Sequence, residues 1–187
     1  DTIMKMKFGK YIGGPIIIAV LAMIMQAIDQ FLAGNTIIGS LLAGGGSWIA
    51  FQSWAVYFLG GCNIKGGVKG FVMYAIGILA SIAIMTLGGG LFSGLGFWGL
   101  PVAVLLVVIP CICCERVEFL SYVPALFVGA GAYFGIMGYI APNAAAPFTG
   151  NFWAYFAVEM FYCLFGLVWG WLTIVLRGVY EKAVTKA

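Results

Sequence analysis

The chain has 187 residues, 64% of them hydrophobic and only 8% charged, with a mean hydropathy of +1.10. Soluble domains carry about 25% charged residues, so these totals exclude a soluble globular domain and point to one integral membrane domain covering residues 1–187. The net charge of +3 comes from basic residues scattered through short loops and the termini, which is a pattern of membrane topology and not of a nucleic-acid-binding face.

A helix crosses the hydrocarbon core with about 20 apolar residues, and six stretches qualify. The first covers 11–33. It follows "DTIMKMKFGK", which lacks the apolar region and small-residue cleavage site of a secretory signal, so no removable targeting segment is expected. Near its outer end lies Asp29, with Gln26 and Gln30 at i−3 and i+1 as a polar stripe. The second stretch, 37–59, contains Gly44, Gly45 and Gly46 upstream of Trp48, then Gln52 and Trp54. The third and fourth cover 68–88 and 95–113. The fifth, 120–140, has Pro124 near its start, and the sixth, 152–176, contains Glu159 flanked by Tyr155 at i−4 and Tyr162 at i+3. Between the stretches stand "GNT", "GGCNIKGG", "GGGLFSG", "CERVE" and "APNAAAPFTGN", clusters of turn-forming and charged residues.

Six crossings sort the charges. Lys5, Lys7 and Lys10 precede the first helix; Lys65 and Lys69 follow the second, Arg116 the fourth, and Arg177, Lys182 and Lys186 the sixth. All nine basic residues fall on one side, which the positive-inside rule makes cytoplasmic together with both termini. A count of five or seven would split them between the two faces.

The second and fifth helices echo one another. "FQSWAVYFLGG" can be laid on "FVGAGAYFGIM", matching Phe51 with Phe127, Tyr57 with Tyr133 and Phe58 with Phe134. Each is the middle member of a three-helix half, and three is odd, so the halves have opposite orientation. Inverted repeats with interrupted helices at corresponding places mark a solute path in transporters. Gly44, Gly45, Gly46 and Pro124 are the candidate breaks. The other reading is close packing at the glycines and a proline tolerated in a first turn.

Ionisable residues at membrane depth are costly and default to a functional hypothesis. Asp29 and Glu159 both fall in the outer half, and with Gln26, Gln30, Tyr155 and Tyr162 they are expected to line an outward vestibule. Gln52 continues a polar route inward between the walls of Trp48 and Trp54. The structural alternatives are an interfacial cap for Asp29, an interhelical hydrogen bond for Glu159 and interhelical glue for Gln52. No lysine or arginine is predicted at depth within a span, which disfavours an anionic solute. Histidine is absent, which removes the usual haem ligand, the commonest zinc ligand and the default general base. No catalytic constellation, cofactor or metal site is expected. The five cysteines, including "CICC" at 111–114, read as free thiols.

"AVYFLGGCNIKGGVKG" and "LSYVPALFVGAGAYFG" carry a resemblance that runs from Gly39 to Trp171. They resemble a bacterial inner-membrane family catalogued as domain of unknown function 1097. The resemblance implies a small multi-pass protein of the bacterial inner membrane and supplies neither substrate nor functional residues. The residues themselves leave two readings. One is a channel or secondary transporter for a small neutral or cationic polar solute. The other is a non-transporting accessory or structural subunit of a membrane complex. Glycine spacings such as Gly131 with Gly135 and Gly166 with Gly170 suit a tight bundle or a homo-oligomer equally.

Overall fold

The computed structural model describes residues 8–36, 41–42, 45–141 and 152–186, and the described residues are helical with no strand among them. After one turn at Phe8–Tyr11, six helices follow: α1 (Gly13–Asn35), α2 (Ser47–Leu59), α3 (Ile64–Thr86), α4 (Gly99–Cys113), α5 (Val123–Gly135) and α6 (Phe152–Lys186). α3 and α5 each run on into a π-helical turn, Leu87–Leu91 and Ile136–Ile140. Among the described residues, five helical stretches are long and apolar enough to cross a membrane: Phe8–Asn35, Ile64–Leu91, Ser93–Arg116, Val123–Ile140 and Phe152–Val184.

The exception is α2. The sequence predicts a span over 37–59 with candidate breaks at Gly44, Gly45 and Gly46, and α2 begins at Ser47, immediately after them. Its 13 residues reach about 20 Å, against a hydrocarbon core of about 30 Å. The reason is local: Gly45 has φ 124°, a value no right-handed helix accommodates, and Gly46 caps α2 from outside the helix. Gly44, the third predicted breaker, lies outside the described residues, as do Lys5 and Lys7.

Packing follows small residues. A Cβ on Gly166 of α6 would collide with the Ala50 carbonyl of α2, and one on Gly170 would meet the Tyr57 ring. Contact levels advance together along both helices, so α2 and α6 run parallel. α3 and α5 repeat the arrangement: Gly70 meets the ring of Tyr122, just ahead of α5, Gly77 abuts the Leu126 carbonyl, and Ser81 donates to the Ala130 carbonyl at 3.1 Å. Ser53 serves α2 and α6 in the same manner, its hydroxyl lying 3.3 Å from the Tyr162 carbonyl. Such close approach lets dispersion contacts and interhelical hydrogen bonds hold helices that gain little from hydrophobic burial in lipid. α1 is tied on by Trp169, whose indole N–H donates to the Leu21 carbonyl at 2.9 Å.

The described basic residues gather at one end. Lys65 pairs with Glu118 at 3.1 Å and Lys69 donates to the Glu118 carbonyl at 2.6 Å, joining the start of α3 to the approach to α5. At the same end Tyr180 donates to the Lys10 carbonyl at 3.0 Å and Lys10 to the Val184 carbonyl at 3.2 Å. The beginning of α1 and the end of α6 are therefore neighbours.

Candidate functional site

The interruption before α2 lies against one buried acid, Asp29, and against Tyr162, one turn from a second, Glu159. Asp29, six residues before the end of α1 and 1% exposed, accepts the Gly46 N–H at 2.9 Å and the Ser47 N–H at 3.1 Å. These are two of the orphan donors at a helix start, and a carboxylate there is favoured by both the hydrogen bonds and the helix dipole. A Cβ on Gly45 would collide with this carboxylate, so glycine is needed there for space as well as for its φ.

Tyr162 of α6 closes the same junction. Its ring lies where a Cβ on Gly46 would stand, and its hydroxyl neighbours Asp29 and the Gly46 backbone without completing a hydrogen bond. One turn earlier is Glu159, 0% exposed, with neither carboxyl oxygen hydrogen-bonded. Beside it are the Tyr74 hydroxyl, close to the carboxyl but short of full hydrogen-bond geometry, and Tyr133 and Cys163. Tyr133 is differently placed from Tyr74, because its hydroxyl already donates to the Phe152 carbonyl at 2.9 Å. A buried polar group left unpaired costs on the order of 1–3 kcal/mol, and more when charged. Native proteins pair more than 90% of such groups. The two carboxyl oxygens of Glu159 and the phenols of Tyr74 and Tyr162 thus form, within about one turn of α6, a group of buried polar atoms without a complete hydrogen bond.

Of the residues singled out in sequence, the structure brings Asp29, Gly45, Gly46 and Tyr162 together, with Glu159 one turn along α6. Tyr155 is buried on the same helix. Gln26 is half-buried, and Gln30 is exposed on α1. Gln52 lies elsewhere: it is exposed and lines a groove of about 320 Å³ between α2 and α5, with Val56, Leu59, Phe127 and Gly131. Trp48 is half-buried, while Trp54 is buried, stacked on Phe51 at 5.9 Å, with its indole N–H unpaired. Pro124 occupies the first turn of α5 and interrupts nothing. Tyr74 was not among the sequence candidates. Its one signal was its place on the small-residue face of α3, four residues after Gly70 and three before Gly77.

The five cysteines carry free thiols. Among the described residues, no three His, Cys, Asp or Glu side chains converge to hold a metal ion.

An all-helical chain with five apolar stretches of spanning length and an acid pair sealed in its interior is a polytopic membrane protein. The family model for proteins of unknown function designated DUF1097 matches residues 15–161, so the chain belongs to that family. The matched stretch includes Asp29, the interruption before α2 and Glu159. No curated protein and no solved structure matches the chain.

Proposed function

We propose that this protein is a small channel or secondary transporter of the bacterial inner membrane, which moves a small neutral or cationic polar solute past the interruption in front of α2. The observation that carries this reading is Glu159: a fully buried carboxyl group with both oxygens unpartnered, one turn from a helix interruption capped by a second buried acid. Interrupted helices whose ends meet polar side chains at depth are how transporters build solute sites.

Six crossings with both termini cytoplasmic are part of the reading. Five crossings would separate the ends of the chain, yet Tyr180 bonds Lys10, which favours a sixth crossing that includes α2. The basic end then faces the cytoplasm, and Asp29 and Glu159 fall in the outer half.

Two inverted halves are supported by the packing. Exchanging the halves turns α2 against α6 into α5 against α3, and both pairs run parallel with a glycine of one helix on a carbonyl of the other. Those carbonyls belong to Ala50 and Leu126, each one residue before the aligned Phe51 and Phe127. In this reading the glycines serve as helix contacts and the solute path follows the unpaired polar groups.

Reconstitution into liposomes tests the proposal, with flux of a panel of neutral and cationic solutes followed by light scattering. Flux above protein-free liposomes that Glu159→Gln changes is expected. Absence of flux for every solute, from protein that elutes and melts as folded, would leave the accessory-subunit reading.

A further inference from the structure

We propose that the side chains around Glu159 bind a small protonated amine, an ammonium or monoalkylammonium ion. This rests on the transport reading and names the class of solute. The unpaired groups are both Glu159 oxygens and the Tyr74 oxygen, all from side chains less than 2% exposed. The Tyr74 phenol already stands within reach of the carboxyl and can serve one of its oxygens, which leaves the other. What the site lacks is donors.

It also lacks a positive charge. Every lysine and arginine whose side chain is described lies at the basic end of the bundle: Lys10, Lys65, Lys69, Arg116, Arg177 and Lys182. Among the described residues no cation is packed against Glu159; a carboxyl buried this way stays protonated until a guest brings the positive charge that lets it ionise. An ammonium head supplies both needs at once, since it carries N–H donors, no acceptor and a unit charge. A divalent metal ion fits poorly, because it requires about six oxygen ligands and no acid cluster converges here among the described residues. A neutral amide would leave the carboxylate charge unanswered.

The surroundings suit the same guest. Tyr133, its hydroxyl engaged by the Phe152 carbonyl, stands near Glu159, and aromatic rings attract desolvated cations. Glu159, Tyr74, Tyr133 and Tyr162 are completely buried, so a guest enters only as these side chains part, which favours a small one.

The test is binding to the purified full chain in detergent, by calorimetry and by the shift in melting temperature. Methylammonium, sodium, potassium and tetramethylammonium chlorides and urea are compared at constant ionic strength. Methylammonium is expected to bind and to raise the melting temperature, with the other probes weaker by about tenfold or more. Glu159→Gln is expected to weaken methylammonium by about tenfold or more, as loss of a charge-assisted hydrogen bond implies. Tyr74→Phe, which keeps the ring, is expected to weaken it several-fold with an unchanged melting temperature for the free protein. Should Glu159→Gln fail to fold, Tyr74→Phe decides.

Equal binding of sodium or potassium, or binding of urea alone, overturns the amine assignment. So does absence of methylammonium binding from protein that conducts another solute in liposomes, which leaves transport standing. Absence of both binding and flux overturns both proposals.

Discussion

Asp29 of α1 holds the backbone N–H of Gly46 at 2.9 Å, so the start of one helix is fastened by an acid from another. The same carboxylate holds Ser47, leaving its removal uncompensated. Asp29→Ala is expected to destabilise the protein by about 1–3 kcal/mol, the cost of a lost cap with buried donors left open. Asp29→Asn keeps one acceptor and should lose less. Thermal unfolding in detergent measures both, and a wild-type melting temperature for Asp29→Ala would mean that the cap is idle.

Gly166 and Gly77 make a matched pair of predictions. Each faces a backbone carbonyl, Ala50 and Leu126 respectively, and backbone yields less readily than a side-chain tip. Alanine at either site should cost about 1–3 kcal/mol by overpacking. Gly131 has open space around it, and alanine there should be neutral or slightly stabilising through helix propensity. Unfolding by denaturing detergent, compared across the three variants, checks the contrast.

At the basic end, Glu118 is held below the usual carboxylate range by its hydrogen bond from Lys65, with the charges of Lys65 and Lys69 adding to it. A depressed carboxylate contributes stability above its unfolded-state value, and that contribution is lost as pH falls through the lower folded-state value. Hydrogen exchange in residues 114–122 is therefore expected to accelerate on acidification through that range. Glu118→Gln should remove this pH step. Because the pair is exposed, high salt should weaken it too.

Topology is testable with native thiols. Cys62 and Cys113 are exposed at the basic end. A membrane-impermeant maleimide should label them in inside-out vesicles and spare them in right-side-out ones. Labelling in the opposite orientation would invert the assigned membrane sides.

Much of the helical plan was legible because apolar runs of spanning length, bounded by glycine and charge, leave few ways to divide the chain. The glycine run ahead of Trp48 also announced an interruption. Its partner was not legible: that Asp29 would cap Gly46 depends on how α1 leans on α2, and no local pattern encodes that. Gln52 shows a second limit. α2 is apolar nearly all round, so hydrophobic pattern barely distinguishes its faces. One step along the chain rotates about 100°: Ser53 faces α6 while Gln52 faces the outer groove. Tyr74 escaped notice for a similar reason, since a lone tyrosine among apolar neighbours acquires meaning only when Glu159 is brought beside it.

The central claim is that solute from the outer side reaches Glu159, and Cys163, four residues along α6 and 0% exposed, is a reporter already in place. Cys62, Cys111, Cys113 and Cys114 would be replaced by serine, and a small cationic methanethiosulfonate applied to native membranes. Modification of Cys163 from the outer side, slowed by methylammonium, is the predicted result. Failure to modify it from either side, over a time that fully modifies the detergent-unfolded protein, would contradict a solute path through this site.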